Sequence, residues 1–222
     1  MLLALTKLSS TCIENTSRLR IGTTNALNFG NIRHLGGAIE RLKGADITDL
    51  QNLNSGQLSQ SLQKGLLDIV IIGEKSVHTG ENIAFHWLYK EPLKLVMPAS
   101  HPAAKRSRVS LTEVCKLPLF WFSRAANPNL YDKCENLFDK LPCTFKRIKE
   151  PDDSMTMLSY ISKGKAIALM PYSMCTFEHK DLVYKQLNDQ QSRHLNIDVY
   201  AATRKSDTRP MVLEAIQQLQ LP

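Results

Sequence analysis

Short polar side chains follow an apolar stretch near the start of the chain, in an arrangement that could hold an anion. Segment 18–22 has the composition of a short strand, and Thr23, Thr24 and Asn25 come directly after it. Helical spacing of apolar residues begins a few positions later. Where a strand leads into a helix, free backbone N–H groups and the helix dipole favour a negatively charged ligand. We therefore take these three residues as the first part of a candidate small-molecule site.

Most of the chain consists of two series of alternating strands and helices. Segment 66–72 is nearly all apolar and rich in branched side chains, which is typical of a strand in a sheet that helices cover on both faces. The first series comprises strand 18–22, helix 29–43, strand 46–53, a helix from Ser55 to Gly65, and strand 66–72. The second comprises strand 118–122, a helix from Asn127-Pro128, strand 145–149, helix 154–163 before Gly164, and strand 166–170.

Three further elements stand outside the two series. They are strand 93–97, strand 195–201 and a final helix opened by Thr208. A short helix is also predicted after Ser110, because Ser110 and Glu113 form a capping-box pair. The two series, each of about one hundred residues or less, predict an α/β fold with two lobes and a cleft between them.

The composition is that of a folded protein without a membrane span or a disulfide framework. Hydrophobic residues make up 43% of the chain and charged residues 22%, and no apolar run approaches the ~18 residues of a membrane-spanning helix. The five cysteines show no CxxC pairing, and neither they nor the six histidines have metal-ligand spacing. The apolar start of the chain stops too soon for a secretion signal. We therefore expect free thiols, no metal, no cofactor, no membrane contact and a cytoplasmic location.

No arrangement of residues typical of catalysis occurs in the sequence, and the P-loop, nucleophile-elbow and dinucleotide motifs are missing. His101 could act as a base, but as part of a His-Pro pair before a helix it is better explained as shaping a turn. We interpret Trp87, Trp121, Phe120 and Phe122 as core residues rather than a stacking surface. We expect no enzyme activity, although an enzyme on an α/β scaffold remains a rival hypothesis.

In their order and spacing, several short motifs resemble the effector-binding domain of LysR-type transcriptional regulators. Each motif is weak by itself, but together they cover about residues 18–220. The resemblance implies two Rossmann-like subdomains with a central cleft, in a fold like that of type 2 periplasmic-binding proteins. The motifs are Leu19-Arg20-Ile21-Gly22, Leu62-Gln63-Lys64-Gly65-Leu66-Leu67-Asp68-Ile69, Leu88-Tyr89-Lys90-Glu91-Pro92-Leu93, Ala99-Ser100-His101-Pro102, Val109-Ser110-Leu111 and Gly164-Lys165-Ala166-Ile167-Ala168-Leu169-Met170-Pro171.

The same resemblance implies a division of the chain and a set of partners. Residues 1–17 would match the remnant of a linker helix, 18–97 with 198–222 the first regulatory subdomain, and 98–197 the second. We expect promoter DNA to be bound only through a winged helix-turn-helix domain that this sequence does not contain. The regulatory domains would form a homodimer, and a tetramer in the full-length protein. Hinges would lie near Val96–Pro98 and Ile197–Ala201.

Matched position by position, the resemblance places a small effector, anionic or zwitterionic, among polar residues of both lobes. For Ser55 and Ser154, capping of their own helices is an equally good explanation, and Arg124 could equally be an exposed cation. The predicted effector-binding residues are Thr23, Thr24, Asn25, Ser55, Ser123, Arg124, Asp153 and Ser154.

The pair Asp152-Asp153 would repel a ligand that carries only a carboxylate. We therefore hypothesise that the cleft prefers a ligand with an amine or several polar groups over a simple monoacid. The main rival to a regulatory domain is a stand-alone solute-binding protein of the periplasmic type, which shares this kind of fold and which a signal peptide would favour.

Overall fold

The computed structural model describes residues 19–42, 53–75 and 81–220. The predicted linker segment 1–17, and strand 46–53 except its last residue, lie outside the described residues. The strands are β1 (Ile21–Thr23), β2 (Ile69–Gly73), β3 (Ile83–Pro98), β4 (Arg108–Val109), β5 (Leu119–Trp121), β6 (Arg147–Lys149), β7 (Ile167–Pro171), β8 (Leu182–Leu187) and β9 (Asn196–Arg204). The helices are α1 (Arg33–Arg41), α2 (Ser55–Gln63), α3 (Pro128–Phe138), α4 (Ser154–Ser162), α5 (Asp189–Ser192) and α6 (Pro210–Gln220).

The strands that the structure describes join one mixed sheet, whose main path runs β1-β2-β9-β3-β7-β5-β6. Strands β4 and β8 lie off this path, and β8 pairs with both β3 and β4. At one end β1 is parallel to β2, and at the other β5 is parallel to both β6 and β7. The parallel arrangement predicted for the second series is therefore confirmed.

Strand β3 belongs to both ends of the sheet. From Ile83 to Pro92 it pairs with β9, and from Leu93 onward it pairs with β7 and β8. The sequence predicted only strand 93–97 here, because that part is almost entirely apolar and buried, whereas the earlier part alternates with half-exposed polar residues. We call β1, β2, β9 and the start of β3 the first half, and the end of β3 with β4–β8 the second half.

Local signals explain where most helices begin and end. Helices α2 and α4 stop just before Gly65 and Gly164, whose φ angles of 71° and 74° are unfavourable for other residues. The capping box of Ser110 and Glu113 is confirmed, although it opens only a single 3-10 turn, Leu111–Glu113. Among the described residues, no helix is both long and apolar enough to cross a membrane.

The structure contradicts the predictions for one helix and one core residue, and it confirms the prediction for one turn. Predicted helix 29–43 is interrupted: a 3-10 turn at Phe29–Asn31 and an extended Ile32 precede α1. Trp87 is not a core residue, because its side chain is 50% exposed and its indole N–H donates to Asp198 Oδ1 at 3.2 Å. His101 shapes a turn as predicted, since its Nδ1 accepts a hydrogen bond from the Ala103 N–H at 3.2 Å.

A buried carboxylate joins β1, β2, β9 and the start of α6. The Asp68 side chain is 1% exposed and accepts hydrogen bonds from Arg20 Nη2 at 3.0 Å, Arg204 Nη2 at 3.3 Å and Arg209 Nη2 at 2.7 Å. Burial disfavours the charged form, but the hydrogen bonds from Arg20 and Arg209 outweigh it and hold the pKa of Asp68 well below its usual range. Asp68 is therefore a structural anchor of the first half.

Candidate ligand-binding cleft

A cavity of about 300 Å³ lies where strands of the two halves end. Most of its lining comes from residues at or just after the ends of β1, β2, β5 and β6, from the first turns of α2, α3 and α4, and from β7, and β3 and β9 contribute further residues. Ligands bind at this edge of α/β sheets because helix N-termini direct free N–H groups to it. We call this cavity the cleft.

Two of the three polar residues at the end of β1 line the cleft. Thr23 ends the strand and does not line the cavity, whereas Thr24 and Asn25 do. Thr24 is buried, and its hydroxyl oxygen accepts a hydrogen bond from the Ala26 N–H at 3.3 Å. Asn25 is exposed and has no side-chain hydrogen bond within the described part of the chain. Asn25 is therefore the group on this side that is free to contact a ligand.

Ser55 lines the cleft but does not cap its own helix. The N-cap of α2 is Asn54, which accepts from the Gln57 N–H, while Gln57 Oε1 accepts from the Asn54 N–H, both at 3.0 Å. The expectation that Ser55 caps the helix was wrong because the amide of Asn54 takes that position. The Ser55 hydroxyl is buried and accepts a long hydrogen bond, 3.4 Å, from the Gly73 N–H.

Asn127 connects the two halves at the cleft. Its Oδ1 caps α3 by accepting from the Leu130 N–H at 3.2 Å, and its Nδ2 donates to the Gly73 carbonyl at 2.9 Å. Gly73 has no room for a side chain, since an added Cβ would lie 2.6 Å from Ile197 Cγ2. The sequence predicted Asn127 only as the start of a helix, and nothing local indicated the second contact.

Replacing Asn127 by alanine is expected to lower the free energy of unfolding by about 1–2 kcal/mol, because α3 loses its cap and the Gly73 carbonyl loses a donor. Chemical denaturation would measure the change. The matched control is Asn129→Ala, which removes a similar amide from the same helix turn where no side-chain hydrogen bond is present among the described residues. Equal stabilities for the two variants would contradict the structural role of Asn127.

The structure brings four of the eight predicted effector-binding residues to the cleft and leaves four outside it. Inside are Thr24, Asn25, Ser55 and Ser154; outside are Thr23, Ser123, Arg124 and Asp153.

Each of the charged residues left outside has a local partner. Arg124 forms a two-pronged ion pair with Asp132, at 2.7 and 2.6 Å, on the exposed surface. Asp153, and not Ser154, caps α4. Its carboxylate accepts from the Thr156 hydroxyl and from the N–H groups of Thr156 and Met155, and these hydrogen bonds lower the pKa of the carboxyl group. At Ser123, the backbone carbonyl accepts from the Ala126 N–H at 3.0 Å in the turn that precedes α3. Contact of these residues with an effector stays a prediction.

Glu150 is the cleft residue that the sequence analysis missed. It follows β6 directly, as Thr24 follows β1, so the rule that selected the strand-end residues of β1 could have found it. Burial raises the pKa of the Glu150 carboxyl group. It is therefore Glu150, not Asp153, that brings a carboxylate to the cleft.

The remaining walls of the cleft are largely apolar. Trp121 and Phe122 pack against each other with ring centroids 4.7 Å apart, and the flexible side chains of Met157, Met170 and Met174 face the same space. Trp121 is buried and Phe122 half-buried, so the sequence interpretation as core holds for Trp121 while both residues also form a wall. Apolar walls with a few fixed polar groups are typical of small-molecule sites.

Metal chemistry has no evident place in the part of the chain that the structure describes. Within residues 19–42, 53–75 and 81–220, no three His, Cys, Asp or Glu side chains stand close enough together to hold an ion. The cleft therefore offers hydrogen bonds, one carboxylate and apolar contact to a ligand.

The sequence that forms this fold and cleft matches a known protein family. The model of the LysR substrate binding domain matches residues 14–220, and the chain belongs to that family. In sequence it is similar to the HTH-type transcriptional regulator TtuA of Agrobacterium vitis, with 30% identity over 159 residues. The alignment covers 71% of this chain and 52% of TtuA, so the chain spans about half the length of this relative.

Solved structures confirm the predicted fold class. The regulatory domain of CcmR from Synechocystis PCC6803, in complex with 2-PG, superposes with a TM-score of 0.72 at 16% identity, covering 91% of this chain and 95% of that one. The effector binding domain of QuiR, in complex with shikimate, gives a TM-score of 0.71 at 16% identity, covering 92% and 95%. The chain thus has the type 2 periplasmic-binding-protein-like fold with two subdomains.

Proposed function

We propose that this chain is the effector-sensing domain of a bacterial LysR-type transcriptional regulator and that it binds a small metabolite in the cleft without transforming it. The observation that carries the proposal is the cleft itself, a cavity of about 300 Å³ lined by strand ends and helix starts of both halves. Its size and mixed lining suit a small molecule. Family membership and the bound 2-PG of CcmR and shikimate of QuiR support the same function.

Binding would act on the angle between the two halves. Strand β3 changes partner between Pro92 and Leu93, and β9 begins at Asn196, so these two strands connect the halves. We place the hinges between Pro92 and Pro98 and between Leu195 and Ala201, close to the predicted subdomain boundaries after 97 and 197. A ligand that contacts both halves shifts the population toward the closed state by its difference in affinity for the two states.

The rest of the regulator follows from the family. A homodimer of these domains, and a tetramer of the full-length protein, would pass the change of angle to an N-terminal DNA-binding domain on promoter DNA in the cytoplasm. Reciprocity then requires that DNA binding alter the affinity for the effector by the same factor.

Thermal unfolding with a panel of small carboxylic acids, amino acids and amines tests the function. A cleft ligand at about one hundred times its Kd is expected to raise the melting temperature by about 5–10 °C. Ala126→Trp should abolish the shift, because Ala126 lines the cleft and an indole there fills it.

Ala125→Trp is the matched control for the blocked cleft. Ala125 is the preceding residue, is exposed and does not line the cavity, so this variant should keep the shift. Loss of the ligand effect in both variants, or in neither, would speak against the cleft as the binding site.

A further inference from the structure

Glu150 gives the cleft a negative charge. Among the residues that the structure places in the lining, Glu150 carries the negative charge and no lysine or arginine is present. The nearby cations are engaged elsewhere: Arg124 pairs with Asp132, and Lys133 pairs with Glu74. A ligand in the cleft therefore meets a carboxylate and no lining side chain of opposite sign within the described residues.

No structural role accounts for the Glu150 carboxylate. It forms neither a hydrogen bond nor an ion pair with any residue in the described ranges, and it lies at the end of β6, which is parallel to and paired with β5. Glu150 is half-buried and shares the lining of the cleft with apolar side chains such as those of Phe122 and Met157. A charge that is partly withdrawn from water without a partner lowers the stability of the fold. The raised pKa of Glu150 agrees with that environment.

We propose that Glu150 makes the cleft selective for a ligand that presents an ammonium group. This group pairs with the Glu150 carboxylate, and the apolar part of the ligand packs on Trp121, Phe122 and the methionines. The inference rests on the proposed function and adds the chemical class of the effector. An amine or an amino acid satisfies it. A plain carboxylic acid instead brings a second negative charge beside Glu150, with no lining lysine or arginine to offset it within the described ranges.

A matched set of probes separates these ligand classes. 3-Phenylpropylamine, phenylalanine and 3-phenylpropanoate share one carbon skeleton and differ in charge. A corresponding set with a branched aliphatic group in place of the phenyl ring tests a second apolar shape. Calorimetric titration of the wild-type chain is expected to give at least about tenfold tighter binding for an amine-bearing probe than for its acid partner, which is the effect of one charge-assisted hydrogen bond.

Glu150→Gln and the control Glu178→Gln then assign the preference to one residue. Glu178 is exposed and lies outside the cleft, so its variant should retain wild-type selectivity. Glu150→Gln should bind the amine-bearing probe about tenfold or more weakly and the acid no more weakly than wild type does. In the absence of ligand, Glu150→Gln should also melt about 2 °C higher, because the unpaired charge is gone. A purely structural Glu150 would give a lower melting temperature instead.

The outcomes separate the two proposals. If acids bind as tightly as amines, or if Glu150→Gln leaves the preference unchanged while Ala126→Trp still blocks binding, the selectivity proposal is overturned and the proposed function stands. If no probe in either set binds and no member of the wider panel shifts the melting temperature, the proposed function fails and the role of Glu150 falls with it.

Discussion

Asp68→Asn is expected to lower the free energy of unfolding by roughly 3 kcal/mol, the low end of the range for a buried ion pair that loses one partner. The low end applies because Arg20, Arg204 and Arg209 are 44%, 21% and 36% exposed and can be partly solvated. Asparagine keeps the shape of the side chain but not the charge that three arginines share. Urea denaturation followed by circular dichroism measures the change.

An exposed ion pair provides the control for Asp68. Asp132→Asn removes a carboxylate with two short hydrogen bonds from Arg124, but that pair is about half exposed, so its stability should stay near that of the wild type. If the two variants lose the same stability, the claim that Asp68 anchors the first half is wrong.

The pH dependence of stability provides a second test of the role of Asp68. Because the folded-state pKa lies below the unfolded value of about 4, the carboxylate contributes its full stabilisation above that value and loses it as the pH falls. Between pH 5 and 2 the wild type should lose stability more steeply than Asp68→Asn. Asp207, whose pKa is also lowered by Arg209, keeps some acid sensitivity in the variant. Parallel stability profiles would contradict the ionised state of Asp68.

Lys133→Met is expected to have the second largest effect of these substitutions and to lower the free energy of unfolding by about 2 kcal/mol. Lys133 Nζ donates to Glu74 Oε1 and to the Asn196 carbonyl, both at 2.8 Å. It thereby connects α3 of the second half to the end of β2 and the start of β9. Methionine keeps the packing of the stem but leaves the Glu74 carboxylate, which is 13% exposed, with a single donor among the described residues, the Asp198 N–H.

Denaturation and hydrogen exchange together test Lys133. The backbone amides around Gly73 and Glu74 should exchange faster in Lys133→Met, because the contact between the halves is lost. Lys140→Met is the control, since Lys140 is exposed, lies two residues after the end of the same helix and has no ion pair in the described ranges. Unchanged exchange at Gly73 in Lys133→Met would show that this contact does not hold the halves together.

Apolar periodicity and capping residues predicted the strands and helices of the second half well. Features of the fold that depend on pairing between distant strands could not be predicted in this way. Strands β5 and β7 are short apolar runs, and clear stops such as Gly164 end the neighbouring helices, so neighbouring residues suffice to place them. The partner exchange of β3 at Pro92 depends on β7, β8 and β9, which lie about one hundred residues away in the chain. A local pattern contains no information about such partners.

The candidate site shows the same limit. Thr24 and Asn25 were predicted because a strand end positions them whatever the partners are. Arg124 looked available, but Asp132 lies eight residues on and reaches it only once α3 has formed. Asn127 was identified as a cap, while its bond to Gly73 depends on the approach of the other half. Glu150 was not predicted because the acidic pair Asp152-Asp153, two residues further on, gives the stronger local signal of negative charge.

Backbone amide NMR during titration with a ligand from the panel tests most directly whether the cleft holds a metabolite between the two halves. Coordinated shifts are expected for Asn25 and Gly73 of the first half together with Asn127 and Glu150 of the second, saturating at one ligand per chain. Shifts confined to one half, or located on a surface away from these residues, would contradict binding in the cleft.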